Sequence, residues 1–287
     1  MSGRRHPGAA LLGPVLAAAC AVTACAPPLE VPPSGTAQPP AIVSLNPCLD
    51  AIVVEVAAPA QVRALSRWSA DPATSSLAPD AARRHVFVSG SAEEVLALRP
   101  RLVLASTYTD PATVDALRRL GIRVETFGIA GSIDENIAQV RRIAALAGQV
   151  PAGERLVARM HAALAAAAPP PGAPPLDTVL WQPGGIVPGR GTLIADLLRR
   201  TGHADGAAAR GYSQGEALPL EAVVRDPPRL LLVAGREAGQ RHPVLARVPG
   251  MRVAAFDPAL LHCGGPTVIR AAARLGAERR RLPGARQ

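Results

Sequence analysis

The feature that most constrains this chain is an alternation of short apolar runs with helical runs, repeated along its length and interrupted once. Ile42-Val43-Ser44-Leu45 has the length and composition of a buried strand, and the turn Asn46-Pro47 leads into a helical run over 48–56. Further strands are expected at 62–65, 86–88, 102–105 and 122–126. Ser91 with Glu94, and Ser132 with Glu135, both have the form of a capping box. The first opens a helix that Pro100 must stop, and the second a helix that reaches Leu146 and ends at Gly148. The rhythm breaks at 152–168, a continuous helical stretch bounded by Pro151 and Pro169. It then resumes with strands near 178–181, 230–233 and 252–256 and helices near 193–200, 220–225 and 266–281. Short strands separated by helices build parallel sheets covered on both faces. The expected fold class is therefore α/β: two Rossmann-like lobes with parallel sheets, 41–151 and 169–287, joined by a single long helix, with a ligand cleft between the lobes.

Composition excludes several kinds of protein. With 48% hydrophobic and 18% charged residues the 287-residue chain can bury a sizeable core, so disorder throughout is ruled out. All 31 basic residues are arginine, and aromatics make up only 2%. Lysine-rich nucleic-acid tails and aromatic stacking platforms are both missing, so no nucleic-acid partner is expected.

The N-terminus has the layout of an export signal. Arg4 and Arg5 precede an apolar stretch, 9–22, that is short for a membrane span, and Val22-Thr23-Ala24-Cys25 follows. This order resembles the lipobox of bacterial lipoproteins, which implies a leader over 1–25 and acylation of Cys25, hence a membrane contact through lipid alone. Cleavage by an ordinary signal peptidase between small residues near Ala24 and Ala26 is the alternative. Losing Arg4 and Arg5 takes the formal charge from +9 to +7. Residues 26–40, with prolines at 27, 28, 32, 33, 39 and 40, read as an extended spacer between anchor and domain.

Three segments carry a family resemblance. Ile42-Val43-Ser44-Leu45, the run from Ser91-Ala92-Glu93-Glu94-Val95-Leu96-Ala97-Leu98-Arg99-Pro100 into Arg101-Leu102-Val103-Leu104, and Leu117-Arg118-Arg119-Leu120-Gly121-Ile122-Arg123-Val124 look like the periplasmic binding proteins that deliver iron-siderophore complexes and vitamin B12 to ABC importers. In the second half, Leu218-Pro219-Leu220-Glu221-Ala222-Val223-Val224 before Asp226-Pro227-Pro228-Arg229-Leu230-Leu231 resembles the equivalent helix-then-strand unit. The resemblance implies an exported carrier, monomeric, without catalysis or cofactor. It takes an iron-chelate or corrinoid ligand and docks on a permease through one glutamate per lobe; Glu93 and Glu221 occupy those positions, with Glu94 beside the first. The +7 charge and the arginines Arg67 and Arg190 on the expected cleft loops favour a ferric siderophore, ahead of a corrinoid and then haem. A sensor or adhesive lipoprotein that has lost its permease is the alternative role.

The ligand of an open α/β sheet lies beyond the carboxyl ends of the strands. Trp68, Tyr108, Trp181 and Tyr212, four of the seven aromatics, fall on or beside those loops, where flat rings can face a flat ligand. Arg190 and His262 complete the candidate ligand-binding set. Other motifs fail. The glycines before Arg190-Gly191-Thr192 lack the lysine of a phosphate loop, Ser213 sits in no nucleophile elbow, and Cys48, His262 and Cys263 lack the paired spacing of a zinc site. No catalytic or metal-holding set is expected. An oxidising compartment favours pairing of Cys48 with Cys263, whereas their separation on opposite lobes favours free thiols at the cleft margin; the reading adopted is free thiols. The turn Cys263-Gly264-Gly265-Pro266 marks a backbone that comes very close to the ligand or to the other lobe.

Overall fold

The computed structural model describes residues 39–282. The leader, Cys25 and residues 26–38 of the spacer lie outside the described residues. Five strands form the first sheet: β1 (Ile42–Ser44), β2 (Val62–Ser66), β3 (Phe87–Val88), β4 (Leu102–Ser106) and β5 (Arg123–Phe127), all parallel and ordered β3-β2-β1-β4-β5. Helices α1 (Pro47–Val56), α2 (Pro79–Ala82), α3 (Ala92–Ala97), α4 (Pro111–Arg119) and α5 (Ile133–Leu146) connect or follow them. Helix α6 (Val150–Ala167) then leads to the second half. There β6 (Leu176–Trp181), β7 (His203–Asp205), β8 (Leu230–Val233) and β9 (Arg252–Ala255) form a parallel sheet ordered β7-β6-β8-β9. Helices α7 (Leu193–Arg200), α8 (Gly206–Ala209), α9 (Leu220–Arg225) and α10 (Pro266–Arg280) complete it. Each sheet draws its strands from one half of the chain only.

The pleat sorts side chains into three clusters. On β1 and β4, Val43, Val103 and Ala105 face an outer cluster with Val95 of α3 and Val114 and Leu117 of α4. Ile42, Leu102 and Leu104, on the opposite face, enter a central core that also holds Ile52 of α1, Ile137 of α5, Met160 of α6, Leu180 and Leu232 of the second sheet, and Leu275 of α10. Trp181, Val179 and Leu231 form the outer cluster of the second lobe. The two lobes thus share one apolar core, with α6 inside it. Helix α6 is gripped through glycines: a Cβ on Gly153 would strike Ala144 of α5, and one on Gly276 of α10 would come within 3.0 Å of Ala167. Although α10 follows the second sheet in sequence, its most extensive packing is against α6.

Alternation foretold the main elements, but several short ones have no periodicity to read. Strand β7 is three residues long, and α2 and α8 are four each. Helix α4 also escaped the reading, although its Asp110 cap and Pro111 are ordinary start signals. No described helix is long and apolar enough to cross a membrane.

Candidate functional site

In both sheets the strand order reverses beside the first strand, at β1/β4 and at β6/β8. The loops leaving these strands at their carboxyl ends frame a cleft of about 530 Å³ between the lobes. In the first lobe Asn46 begins it. Its side chain accepts hydrogen bonds from the amides of Cys48 (2.9 Å) and Leu49 (3.3 Å), so the N-terminus of α1 is closed and Cys48 and Leu49 face the cleft. After β4, Ser106 Oγ accepts from the Tyr108 amide and Thr109 Oγ1 accepts from the Ser106 amide, a tight turn that leaves the Tyr108 ring 77% exposed in the cleft. After β5, Phe127 and Ile129 add apolar surface. From the second lobe come Gln182, Ile186, Thr192, Gln214 and His262. The walls are apolar, with neutral amides and hydroxyls among them. Among the described residues no arginine, aspartate or glutamate lines the cleft.

The expected ligand residues divide. Tyr108 and His262 line the cleft from opposite lobes. Trp181 does not: it is 3% exposed in the outer core of the second lobe, and its indole N–H donates to the Leu218 carbonyl at 2.8 Å. As the last residue of β6 it points to the sheet face away from the cleft, so it is a core residue. Trp68 is 50% exposed at the end of β2, beneath the Arg67 guanidinium at 4.7 Å from the ring centroid, but it is not among the cleft-lining residues. Tyr212 packs on the outer core of the second lobe and shares with Arg190 a separate depression of about 410 Å³ beside the cleft. Sequence reasoning missed Phe127, Ile129 and Gln139; Gln182 and Gln214 stand on loops that it places at the cleft, 182–192 and 210–215, without singling them out. The loop after β5 could have been found by the strand-end rule. Isolated glutamines carry no comparable signal.

The cysteines overturn the reading of free thiols. Cys48 and Cys263 form a disulfide across the cleft, with Cα atoms 4.8 Å apart. The reason lies in the next two residues. A Cβ on Gly264 would strike Asn136, and one on Gly265, whose φ is +60°, would sit 2.7 Å from Ile52. Two glycines therefore bring this turn of the second lobe against α1 and α5 of the first, close enough for the sulfurs to bond. Further bonds cross the same seam. Gly265 N donates to Asn136 Oδ1 (2.7 Å), Ile133 N to Asp196 Oδ2 (2.9 Å), and Ser76 Oγ to the Ala259 carbonyl (2.7 Å).

Away from the cleft, Glu93 and Glu221 are the second residues of α3 and α9, both exposed. Glu94 is occupied: its Oε2 accepts from the Ser89 hydroxyl and amide and from the Gly90 amide. These bonds hold its carboxyl below the usual range. Glu93 is thus the freer of the neighbours.

The model of the family described as "Periplasmic binding protein" matches residues 42–253. Among curated proteins none matches the chain. Among solved structures, the apo periplasmic heme-binding protein RhuT of Roseiflexus sp. RS-1 is 24% identical, with a TM-score of 0.64 over 82% of this chain and 96% of its own. The periplasmic heme-binding protein HutB of Vibrio cholerae is 20% identical, with a TM-score of 0.63 over 83% of this chain and 97% of its own. The vitamin B12-binding protein BtuF of Vibrio cholerae is 16% identical, with a TM-score of 0.63 over 83% and 96%. At these identities the likeness is one of fold. With two parallel-sheet lobes, a helix between them, a cleft at the strand ends and a family match over most of its length, the chain belongs to the periplasmic binding protein family.

Proposed function

We propose that this protein is the solute-binding component of an ABC importer, and that its ligand is a flat metal tetrapyrrole, haem first. Family membership implies a solute carrier located outside the cytoplasm. The observation that carries the ligand reading is the presence of Tyr108 and His262 on opposite walls of one apolar cleft. A phenolate oxygen and an imidazole nitrogen are both axial ligands of haem iron, and apolar walls suit the macrocycle faces. Arg67 and Arg190, on which the preference for an anionic ferric siderophore rested, are not in that lining. Corrinoid is the second reading, favoured by the amides of Gln139, Gln182 and Gln214, which can donate to and accept from a ligand rich in amides.

Glu93 and Glu221 serve as the permease-docking pair, one carboxylate on each lobe at the matching place of a six-residue helix. Acylated Cys25 and the spacer 26–40 tether the monomeric domain to the membrane. Titration with haemin tests the ligand reading by absorbance. A saturable shift of the Soret band is expected, lost in Tyr108→Phe with His262→Ala. Tight binding of cyanocobalamin with no haemin response favours the second reading, and binding of neither retires both.

A further inference from the structure

The Cys48–Cys263 disulfide lines the ligand cleft as well as joining the lobes. Cys48 is in the first turn of α1, two residues beyond Asn46, and Cys263 follows His262 directly. The bond therefore anchors the backbone beside one candidate iron ligand to the first lobe, the lobe that carries the other. We infer that this disulfide is a specificity-determining spacer: it locks the cleft at the width that the Gly264-Gly265 approach allows and holds His262 opposite Tyr108, so that the oxidised protein takes a flat metal chelate that the dithiol form holds weakly. The positioning of His262 rests on the tetrapyrrole reading; the spacer does not.

Three features argue that the bond does more than staple a small domain. A shared core and helix α6 already join the lobes, so the disulfide is superfluous for holding them in one body. It lies in the wall that a ligand touches, where a change of spacing is felt by the ligand first. The polar contacts across the seam, among them Gly265 N on Asn136 Oδ1, Ile133 N on Asp196 Oδ2, Ser76 Oγ on the Ala259 carbonyl, Arg270 on the Ser76 carbonyl and Arg200 on Asp134, are all noncovalent. Net hydrogen bonds are modest and exchangeable with water, whereas a covalent bond fixes one spacing. Formation of the bond joins the two Sγ atoms and passes two protons and two electrons to a disulfide-bearing oxidant, which leaves as two thiols. Exchange with a dithiol reverses it.

The test compares purified protein in its oxidised form, after reduction with tris(2-carboxyethyl)phosphine, and as the Cys48→Ser/Cys263→Ser double variant. Alkylation and mass spectrometry count free thiols, haemin titration gives Kd and the Soret position, and hydrogen exchange follows the amides of Gly265 and Ile133, whose bonds cross the seam. The oxidised form is expected to bind haemin at least ten-fold more tightly than the other two. The reduced form is expected to show the spectrum of oxidised His262→Ala. Exchange at both amides should quicken on reduction while core amides of β1 and β8 stay protected, showing that the fold survives. Free thiols in protein isolated from an oxidising compartment, or an unchanged Kd and spectrum on reduction, overturn the proposal. If haemin binds no form, the ligand reading falls by itself. The spacer is then judged by the two amides: faster exchange on reduction sustains it, and unchanged exchange refutes it.

Discussion

Asp50 is a fully buried carboxyl in α1 that no ion pair accompanies among the described residues. Its Oδ2 accepts from the Ser66 amide (2.9 Å) and the Ser69 hydroxyl (2.6 Å), tying α1 to the segment that carries Trp68. Oδ1 and the neighbouring Ser44 Oγ are buried without a partner, and a proton on Oδ1 would give Ser44 a donor. Burial pushes the Asp50 pKa up to about 8, against the lowering effect of its hydrogen bonds to the serines. Because the folded state holds this proton and the unfolded chain releases it above its ordinary value, stability falls as pH rises between about 4 and about 8. Each pH unit within that window costs roughly a factor of ten in the folding equilibrium. Asp50→Asn keeps an acceptor for Ser66 and Ser69 and supplies a donor for Ser44, so it should melt higher than the parent at pH 8, with the difference shrinking toward pH 4. Melting curves across that range check it, and parallel curves for the two proteins would refute it. The aromatic residues separate in the same way. Trp181→Ala should cost about 3–5 kcal/mol of stability by emptying a core site. Tyr108→Ala, at an exposed ring, should leave the melting temperature in place and weaken ligand binding ten-fold or more.

Among elements, α6 is the one on which both lobes rely. It is closed in by α5 at Gly153 and by α10 at Gly276, where side-chain-free positions let helix axes approach. Gly153→Leu forces α5 and α6 apart and should destabilise by about 1–3 kcal/mol, as overpacking does. Because the same core continues to the cleft wall, ligand affinity should fall with it; denaturant unfolding beside a binding titration measures both. The same C-terminal end of α10 is also held by charge. The buried Glu278 carboxylate meets Arg252, Arg274 and Arg281. Buried Arg279 donates to the carbonyls of Gly202 and Pro174. These contacts fix the C-terminal end of α10, opposite the end that the Gly264-Gly265 turn leads into.

For the whole molecule, the proposed role separates capture from delivery. On that reading ligand lies in the cleft, whereas Glu93 and Glu221 stand on short helices that precede the corresponding strands β4 and β8. Glu93→Ala with Glu221→Ala should therefore leave ligand affinity unchanged and abolish stimulation of the permease's ATPase, with each single change intermediate. Weak ligand binding with stimulation intact would show that the assignment is reversed. The shared core argues against large hinge closure, so small-angle scattering with and without ligand should differ little.

Local pattern determined much of this. Strand alternation, the capping residues Ser91 and Ser132 and the proline-bounded run before Pro169 depend on neighbours within one or two turns, which is why two parallel sheets joined by α6 were legible from sequence. The strand-end rule likewise foretold that Tyr108 and His262 stand on cleft loops. What sequence could not decide depends on which face of a sheet a residue meets and on what comes across from the other half of the chain. Trp181 is the last residue of its strand, and only the pleat turns it into the outer core. Arg190 and Tyr212 leave the right edge of the sheet yet line a neighbouring depression. Cys48 and Cys263 are 215 residues apart. Their pairing was decided by Gly264 and Gly265, which let the second lobe approach Ile52 and Asn136 with no Cβ in between, a contact that has no local signature in either segment.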